Sequence, residues 1–454
     1  MSKKRRHNKK RVNLNSLEQI NLNAAGLDIG AEEIWGCVPE NRDKENVRQW
    51  GTFTKDLHHL ADWLERCQVT TVALEATGVY WIPIYEILEA RGFEVCLVNA
   101  YSARNVSGRK SDVLDCQWLQ QLHTYGLLAA SFRPPAEINT LRSYVRQRES
   151  ILRQRSAHIQ HMQKALHLMN VKLTTVVTDI TGVTGIQIIR AILEGERDPR
   201  RLAQLRDPRC KASETEIAAA LTGHYQREHL FSLHQAVAAY DFYTQQLAEC
   251  EAEIEQQYAA FEPQIDVDKH PLPKPKRRRR VNHPNYDLRT YLFALCGVDL
   301  TAVDGLDSLL VQDIVAEVGI DMSRWPTAKH FASWLGLAPN NKTSAGKVKS
   351  RHSKKTSNRA NTAFRLAAQA TGRTQTALGA FYRRIRAKHG APVAITATAH
   401  KIARIVYHML KERKPYQPQN IETYSQQQRD RYLKRLQRQA GKLGMKLVAS
   451  SIVS

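Results

Sequence analysis

The sequence predicts an α/β domain followed by a longer, mainly helical remainder. Two patterns predict it: short apolar runs alternate with helical spacing over residues 22–134, and from Ile138 onward apolar residues fall into heptads. A third observation bears on function. The formal net charge is +23, and much of that charge is clustered in the C-terminal half.

The first 21 residues, opening MSKKRRHNKKR, read as a basic, disordered arm with no apolar stretch of the kind a secretory signal needs. An apolar run from Ala24 to Ile29 then reads as a strand closing on Asp28-Ile29-Gly30, and Ile34 to Val38 as a second. Leu57, Leu60 and Leu64 sit at helical spacing within Lys55 to Cys67. Thr70 to Glu75 is a buried strand leading into the turn Ala76-Thr77-Gly78. Tyr80 to Arg91 is helical, and Phe93 to Val98 is a further strand. Strands alternating with helices imply a partly parallel sheet.

The heptad seam runs Ile138, Leu141, Val145, Leu152, Ile159, Met162, Leu166 and Met169, with Arg148 and Arg155 in two of its slots. A second stretch (Leu233, Val237, Tyr240, Leu247, Ile254, Tyr258, Phe261) keeps the register, interrupted by Thr244 and Glu251. The pair suits an antiparallel helical hairpin, a coiled coil used for oligomerisation, or two core helices of a bundle. Lys269 to Pro284 holds four prolines and the run Lys274 to Arg280, and reads as a flexible basic linker that binds RNA, DNA or nothing. The expected segments are therefore 1–21 (arm), 22–134 (α/β), 135–262 (helical, coiled-coil), 263–286 (linker), 287–416 (C-terminal domain) and 417–454 (basic helical tail).

The charge favours polyanionic partners, because each Lys or Arg set against a phosphate releases condensed counterions. The seven cysteines are scattered without a CxxC pair, which argues against a disulfide scaffold or a thiolate zinc site and suits a reducing cytoplasm. No run of about 18 apolar residues predicts a membrane span.

Two sets of residues carry chemistry. Asp28 ends one strand, Glu75 ends another, and Asp112 and Asp115 lie three apart at the start of a helix running to Leu122, a spacing that shares one helical face. Four converging carboxylates repel unless cations lie between them, and all-oxygen ligands suit Mg²⁺ or Mn²⁺. In the C-terminal half, Val303-Asp304-Gly305-Leu306 before a helix from Leu309 to Val318 resembles a helix-hairpin-helix element able to hold a phosphate on backbone N–H groups. The segment from Lys342 to Arg359 then mixes Lys347, Lys349, Arg351, Lys354 and Lys355 with Ser344, Ser350, Ser353 and Ser357. Those cations suit phosphate, and residue type alone does not choose among the serines.

GLDIG, LEATG and KSDVLD, in that order, resemble the DEDD signature of the "one-ten" family of insertion-sequence transposases, and GLAP followed by NNKTSAGK resembles that family's C-terminal signature. The resemblance implies a RuvC-like, RNase H-fold N-terminal domain with Asp28, Glu75, Asp112 and Asp115 as catalytic metal ligands, and Ser344 as the nucleophile of a serine-recombinase-like strand exchange. It also implies DNA as donor and target, a structured noncoding (bridge) RNA as guide, and a homo-oligomer, dimer or tetramer, assembled through the heptads. Lys110, Lys342, Lys347, Lys349, Arg351, Lys354, Lys355 and Arg359 are the candidate nucleic-acid contacts. Two competing readings stand beside this one: a RuvC-like endonuclease or resolvase whose metal-bound water hydrolyses DNA while Ser344 only binds phosphate, and a non-catalytic nucleic-acid scaffold.

Overall fold

The computed structural model describes residues 17–76, 78–99, 112–274, 282–344, 347–350, 353–354, 356 and 358–448. The run from Lys274 to Arg280 lies outside them except for Lys274. Its contacts group the chain into two compact units that divide between Arg133 and Pro134.

The first unit is built on a five-stranded mixed sheet in the order β3-β2-β1-β4-β5, with β1 Ala24–Ile29, β2 Glu33–Cys37, β3 Val47–Gly51, β4 Thr71–Glu75 and β5 Glu94–Val98. β1 pairs in parallel with β4 and β4 with β5, while β2 and β3 add as antiparallel neighbours. Edge strand β3 reads Val-Arg-Gln-Trp-Gly, half-exposed along its length, so it has no hydrophobic alternation by which sequence reading detects strands. Helices α1 (Thr54–Arg66) and α2 (Trp81–Ala90) cover one face, burying Leu60, Trp63, Leu64, Ile84 and Leu88 against Ala25, Leu27, Ile29, Val72 and Leu74. Helix α3 (Asp112–Thr124) lies against β1, β2 and β4. Because strand side chains alternate, Ala24, Gly26 and Asp28 share the face opposite to Ala25, Leu27 and Ile29. A sheet covered on both faces is apolar throughout its central strands, as β1 and β4 are.

The second unit is helical apart from one short hairpin. Its frame is α4 (Ala136–Leu168), followed by the short helices α5 (Leu173–Val176), α6 (Val183–Glu194), α7 (Pro199–Gln204) and α8 (Glu214–Leu221), and then α9 (Arg227–Ala260). The four short helices form a core of their own with the adjoining ends of α4 and α9, including Ile188, Ile192, Leu202, Ile217 and Leu221. Helices α4 and α9 run antiparallel: Gln257 bonds the Glu137 carbonyl, Cys250 the Tyr144 carbonyl, and Tyr243 stacks on His158. The heptad seam is thus closed within one chain. Ile138, Leu141, Met162 and Leu166 are buried, and the two helices pack along each other as the antiparallel hairpin that the spacing allowed.

The polar interruptions of the heptads find each other. Arg148 meets Glu251 through Nε at 2.8 Å and Nη2 at 2.7 Å, with both side chains buried. Arg148 also donates to the Asn282 carbonyl at 2.5 Å. Arg155 donates to Asn282 Oδ1 at 3.1 Å and lies over the Tyr240 ring.

The chain continues through α10 (Leu288–Cys296), a 3₁₀ turn (Leu300–Ala302), α11 (Ser308–Val318), α12 (Ala328–Trp334), strands β6 (Lys342–Ser344) and β7 (Lys347–Ser350), then α13 (Arg359–Thr371), α14 (Ala377–His389), α15 (Ala391–Glu412) and α16 (Ile421–Lys442). Phe331, Phe364, Trp325 and Tyr407 interlock at the centre of this part. It docks on the hairpin: Tyr291 stacks on Tyr258, Gln312 bonds the Tyr258 hydroxyl, and Glu317 takes Arg146 in a two-oxygen ion pair. The expected boundaries at 262 and 286 therefore fall inside one compact unit.

The Gly305 turn expected to hold phosphate is used for packing instead. With φ +89°, Gly305 is in the left-handed region, and a Cβ there would lie 2.2 Å from the Ala367 carbonyl of α13. Asp307 caps α11 by accepting from the Leu310 amide.

A prediction follows from the buried ion pair. Arg148→Met leaves the Glu251 carboxylate buried without its partner and is expected to lower unfolding free energy by about 3–5 kcal/mol. Arg148→Met combined with Glu251→Leu is expected to recover at least half of that loss in urea unfolding. Strictly additive losses would show that the two residues are not coupled.

Candidate active site

The floor beneath α3 consists of small residues. Ala24, Gly26 and Ala73 have little or no side chain, and the helix backbone settles onto them: a Cβ on Gly26 would lie 2.4 Å from both the Cys116 carbonyl and the Gln120 amide. Two further contacts fix the direction of the helix. His123 Nε2 lies 2.8 Å from Thr71 Oγ1 at the start of β4, and Gln120 reaches the Ala24 carbonyl at 3.4 Å. The C-terminal end of α3 therefore sits over the beginnings of β1 and β4, and its first turn over their ends. Burial lowers the pKa of His123, which keeps the ring neutral in this contact.

Asp28 and Glu75 stand at those strand ends. The parallel register pairs Gly26 with Ala73 and Leu27 with Leu74, and the next step brings Asp28 level with Glu75 on the face that α3 covers. From Gly26 to Asp28 the strand climbs about 6.6 Å. From the middle of the Cys116–Gln120 contact back to Asp115 and Asp112 the helix climbs about 4.5–9 Å in the same direction. The helix and both strands thus deliver carboxylate positions to one level. The Cys116 thiol, next in sequence to Asp115, reports the same proximity. Its pKa is raised first by the hydrogen bond it shares with Cys37, then by burial, then by the charge of Cys37, and after these by the charge of Asp28. Asp28, Glu75 and Asp115 are all half-buried. Asp112 opens α3; its side chain, like all of Lys110, lies outside the described residues. Both aspartates fall in the first turn, where the helix dipole favours negative charge.

The donor types, aspartate and glutamate, are those that a hard divalent cation takes. Among the described residues, from which the Asp112 side chain is missing, no three acidic, imidazole or thiol groups close into a ligating set.

Ser344 belongs to the second unit. It ends β6, opposite Lys347 of β7, and is exposed. Lys342 pairs with Ser350 across the same hairpin, and Lys349 is exposed on β7. The side chains of Lys342 and Lys347, and the whole of Arg351, Lys355 and Ser357, lie outside the described residues. Lys354 is exposed, and Ser353 bridges back to Pro339. The hairpin thus presents Ser344 among positions that carry lysine. Arg359 differs from the lysines, because its guanidinium is engaged by Glu149 of α4, which competes with phosphate for it.

Sequence reading missed Gly26, the residue that lets α3 reach the sheet. The small-residue alternation Ala24, Gly26, Ala73 was the signal available for it.

Carboxylates at the ends of two neighbouring strands of a mixed sheet, in a chain of formal net charge +23, suit an enzyme that acts on nucleic-acid phosphates. Residues 25–171 match the family model of the IS110 DEDD transposases, described as a transposase, and residues 299–383 match a model described as the IS116/IS110/IS902 transposase family. The first match contains all four acidic positions and the second contains Ser344. The chain belongs to the IS110 family of transposases, and membership implies a divalent metal ion and DNA as partner. No curated protein matches the chain. No helix among the described residues is long and apolar enough to cross a membrane.

The Gly26 contact yields a direct test. Gly26→Ala places a methyl group against helix backbone and is expected to lower the melting temperature and abolish DNA cleavage with every carboxylate intact. Gly441→Ala, which meets nothing within 4 Å, is expected to leave both unchanged. Calorimetry with a cleavage assay checks this, and a fully active Gly26→Ala protein would remove the contact's role.

Proposed function

We propose that the chain catalyses DNA strand exchange for its insertion sequence with Ser344 as nucleophile and with Asp28, Glu75, Asp112 and Asp115 holding Mg²⁺ or Mn²⁺ in an RNase H-like, RuvC-like domain. The observation that carries this reading is the arrival of Asp28, Glu75 and the first turn of α3 at one level of one sheet face. A bound cation would polarise the scissile phosphate and neutralise developing charge.

The protein's own groups supply the rest. Ser344 Oγ forms an ester to phosphorus as the bond from phosphorus to one deoxyribose oxygen breaks. The serine proton passes to a base, and the departing oxygen takes up a proton. One ester replaces another, so the bond energy is kept for rejoining to a second strand. Lysines 342, 347, 349 and 354, on or beside the β6–β7 hairpin, serve the phosphate oxygens.

Sequence choice is delegated in this reading to a structured noncoding guide RNA that pairs with donor and target, while the protein grips backbone and shape. The charge of +23 supports a polyanion of that size. Strand exchange also needs several active sites held together, so a dimer or tetramer in the cytoplasm is proposed, assembled through the heptad helices.

The test is a covalent-adduct assay. The full chain is co-expressed with the DNA flanking its element and denatured, and DNA attached to protein is measured for the wild type, Ser344→Ala and Ser350→Ala. The expected result is an adduct in the wild type and in Ser350→Ala that is lost in Ser344→Ala. Metal-dependent nicking that persists in Ser344→Ala with no adduct in any protein would mean hydrolysis, and would overturn the nucleophile assignment.

A further inference from the structure

We propose that Arg384, Lys401 and Arg431 form a second site for a nucleic-acid phosphodiester, on the face shared by α14, α15 and α16. Lys401 is half-buried on α15, with Nζ 5.0 Å from the centroid of the Phe381 ring and 5.7 Å from that of Tyr424. The Arg384 guanidinium stands 5.4 Å from the same Phe381 ring and donates from Nε to the Tyr424 hydroxyl at 3.2 Å. Arg431 lies two turns beyond Tyr424 on α16 and is close enough that its charge, with that of Arg384, acts on Lys401.

Two cations have thus been gathered around two aromatic rings with a third near Lys401, and among the described residues no carboxylate pairs with any of them. Two part-buried or buried arginines elsewhere are answered by acids, Arg148 by Glu251 and Arg289 by Asp299. Burial first, and then the charges of Arg384 and Arg431, push the Lys401 ammonium below its usual range. A ring face holds a cation without consuming its N–H donors, whereas a carboxylate would occupy them. The donors stay available, and an anion placed among them relieves the repulsion.

The surroundings fit an extended polyanion better than a small ion. Tyr424 is the one buried residue of α16, so the helix is attached at this point, and its exposed length carries Arg429, Lys434, Arg435 and Arg438 onward from the site. His400 and Arg404 continue the basic surface along α15; burial, and then Arg404, lower the His400 pKa. The family match ends at residue 383, immediately before Arg384. The inference rests on a nucleic-acid partner for the transposase but not on Ser344, because a binding assay reads it without any cleavage.

The experiment compares the full-length wild type with the triple variant Arg384→Gln, Lys401→Gln, Arg431→Gln. Affinity is measured against salt concentration for a short random-sequence DNA duplex and for a single-stranded RNA of equal length. A control variant removes three exposed cations from the second unit's helical insertion: Lys172→Gln, Lys211→Gln, Arg227→Gln. Three lost phosphate contacts are expected to reduce the slope of log affinity on log salt by about 2.7 on duplex DNA, or by about 2.1 if the RNA strand is the occupant. The control is expected to change neither slope by more than a small fraction of that. A change on duplex alone identifies DNA as the source of the phosphodiester, and a change on RNA alone identifies RNA. Unchanged slopes on both, or an equal fall in the control, would overturn the proposal. Circular dichroism and melting temperature establish that the triple variant is folded, and Lys401→Arg, which keeps the charge, is expected to retain binding.

Discussion

A helix can deliver carboxylates to the end of a strand only if its backbone reaches the sheet, and here the approach rests on the missing side chain of Gly26. Ordinary side chains on both surfaces would hold α3 away from β1 and β4. With Ala24, Gly26 and Ala73 beneath it, the helix backbone comes into direct contact. The Thr71–His123 bond at one end then sets its direction, and strand and helix rise carry the backbone of the first turn of α3 toward the level of Asp28 and Glu75. Asp28, Glu75 and the turn that carries Asp112 and Asp115 come from three separate segments, so only packing across the sheet can bring them together.

The second unit resolves a different conflict. Long amphipathic helices expose a seam that invites a partner, and this chain supplies the partner itself by folding α9 back along α4. The arginines and glutamate that break the heptads fix the register, because Arg148 and Glu251 meet only when the helices are aligned. A buried pair of this kind contributes little net stability against an apolar pair of equal volume, and costs several kcal/mol when half of it is removed. Its physical value here is alignment, together with anchorage of Asn282 at the point where the chain returns from the Pro-rich segment.

Much of this was legible in the sequence. β1, β2, β4 and β5 carry continuous apolar runs, α1 and α2 carry helical spacing, and the two heptad tracts became the long helices. Family motifs pointed to Asp28, Glu75, Asp112, Asp115 and Ser344 because short motifs preserve residue order. What escaped depended on contacts between distant segments. Strand β3 is held by pairing with β2 and by Trp50 against Trp63, not by its own pattern. A heptad pattern is the same whether its partner lies in another copy or further along the same chain, so the sequence allowed the antiparallel hairpin without choosing it. The Gly305 turn looked like a phosphate-binding hairpin because the motif does not reveal that α13 packs against it. The Arg384–Lys401–Arg431 cluster draws on three helices and has no linear signature at all.

The central claim is that Asp28, Glu75 and the first turn of α3 act as one oxygen-donor site assembled by packing. Electron paramagnetic resonance titration of Mn²⁺ into the full-length protein tests it without reference to catalysis. The account predicts saturable binding in the wild type that weakens at least tenfold in Asp28→Asn, in Asp115→Asn and in Gly26→Ala, the last of which changes no ligand. Equal binding in all four proteins would contradict it.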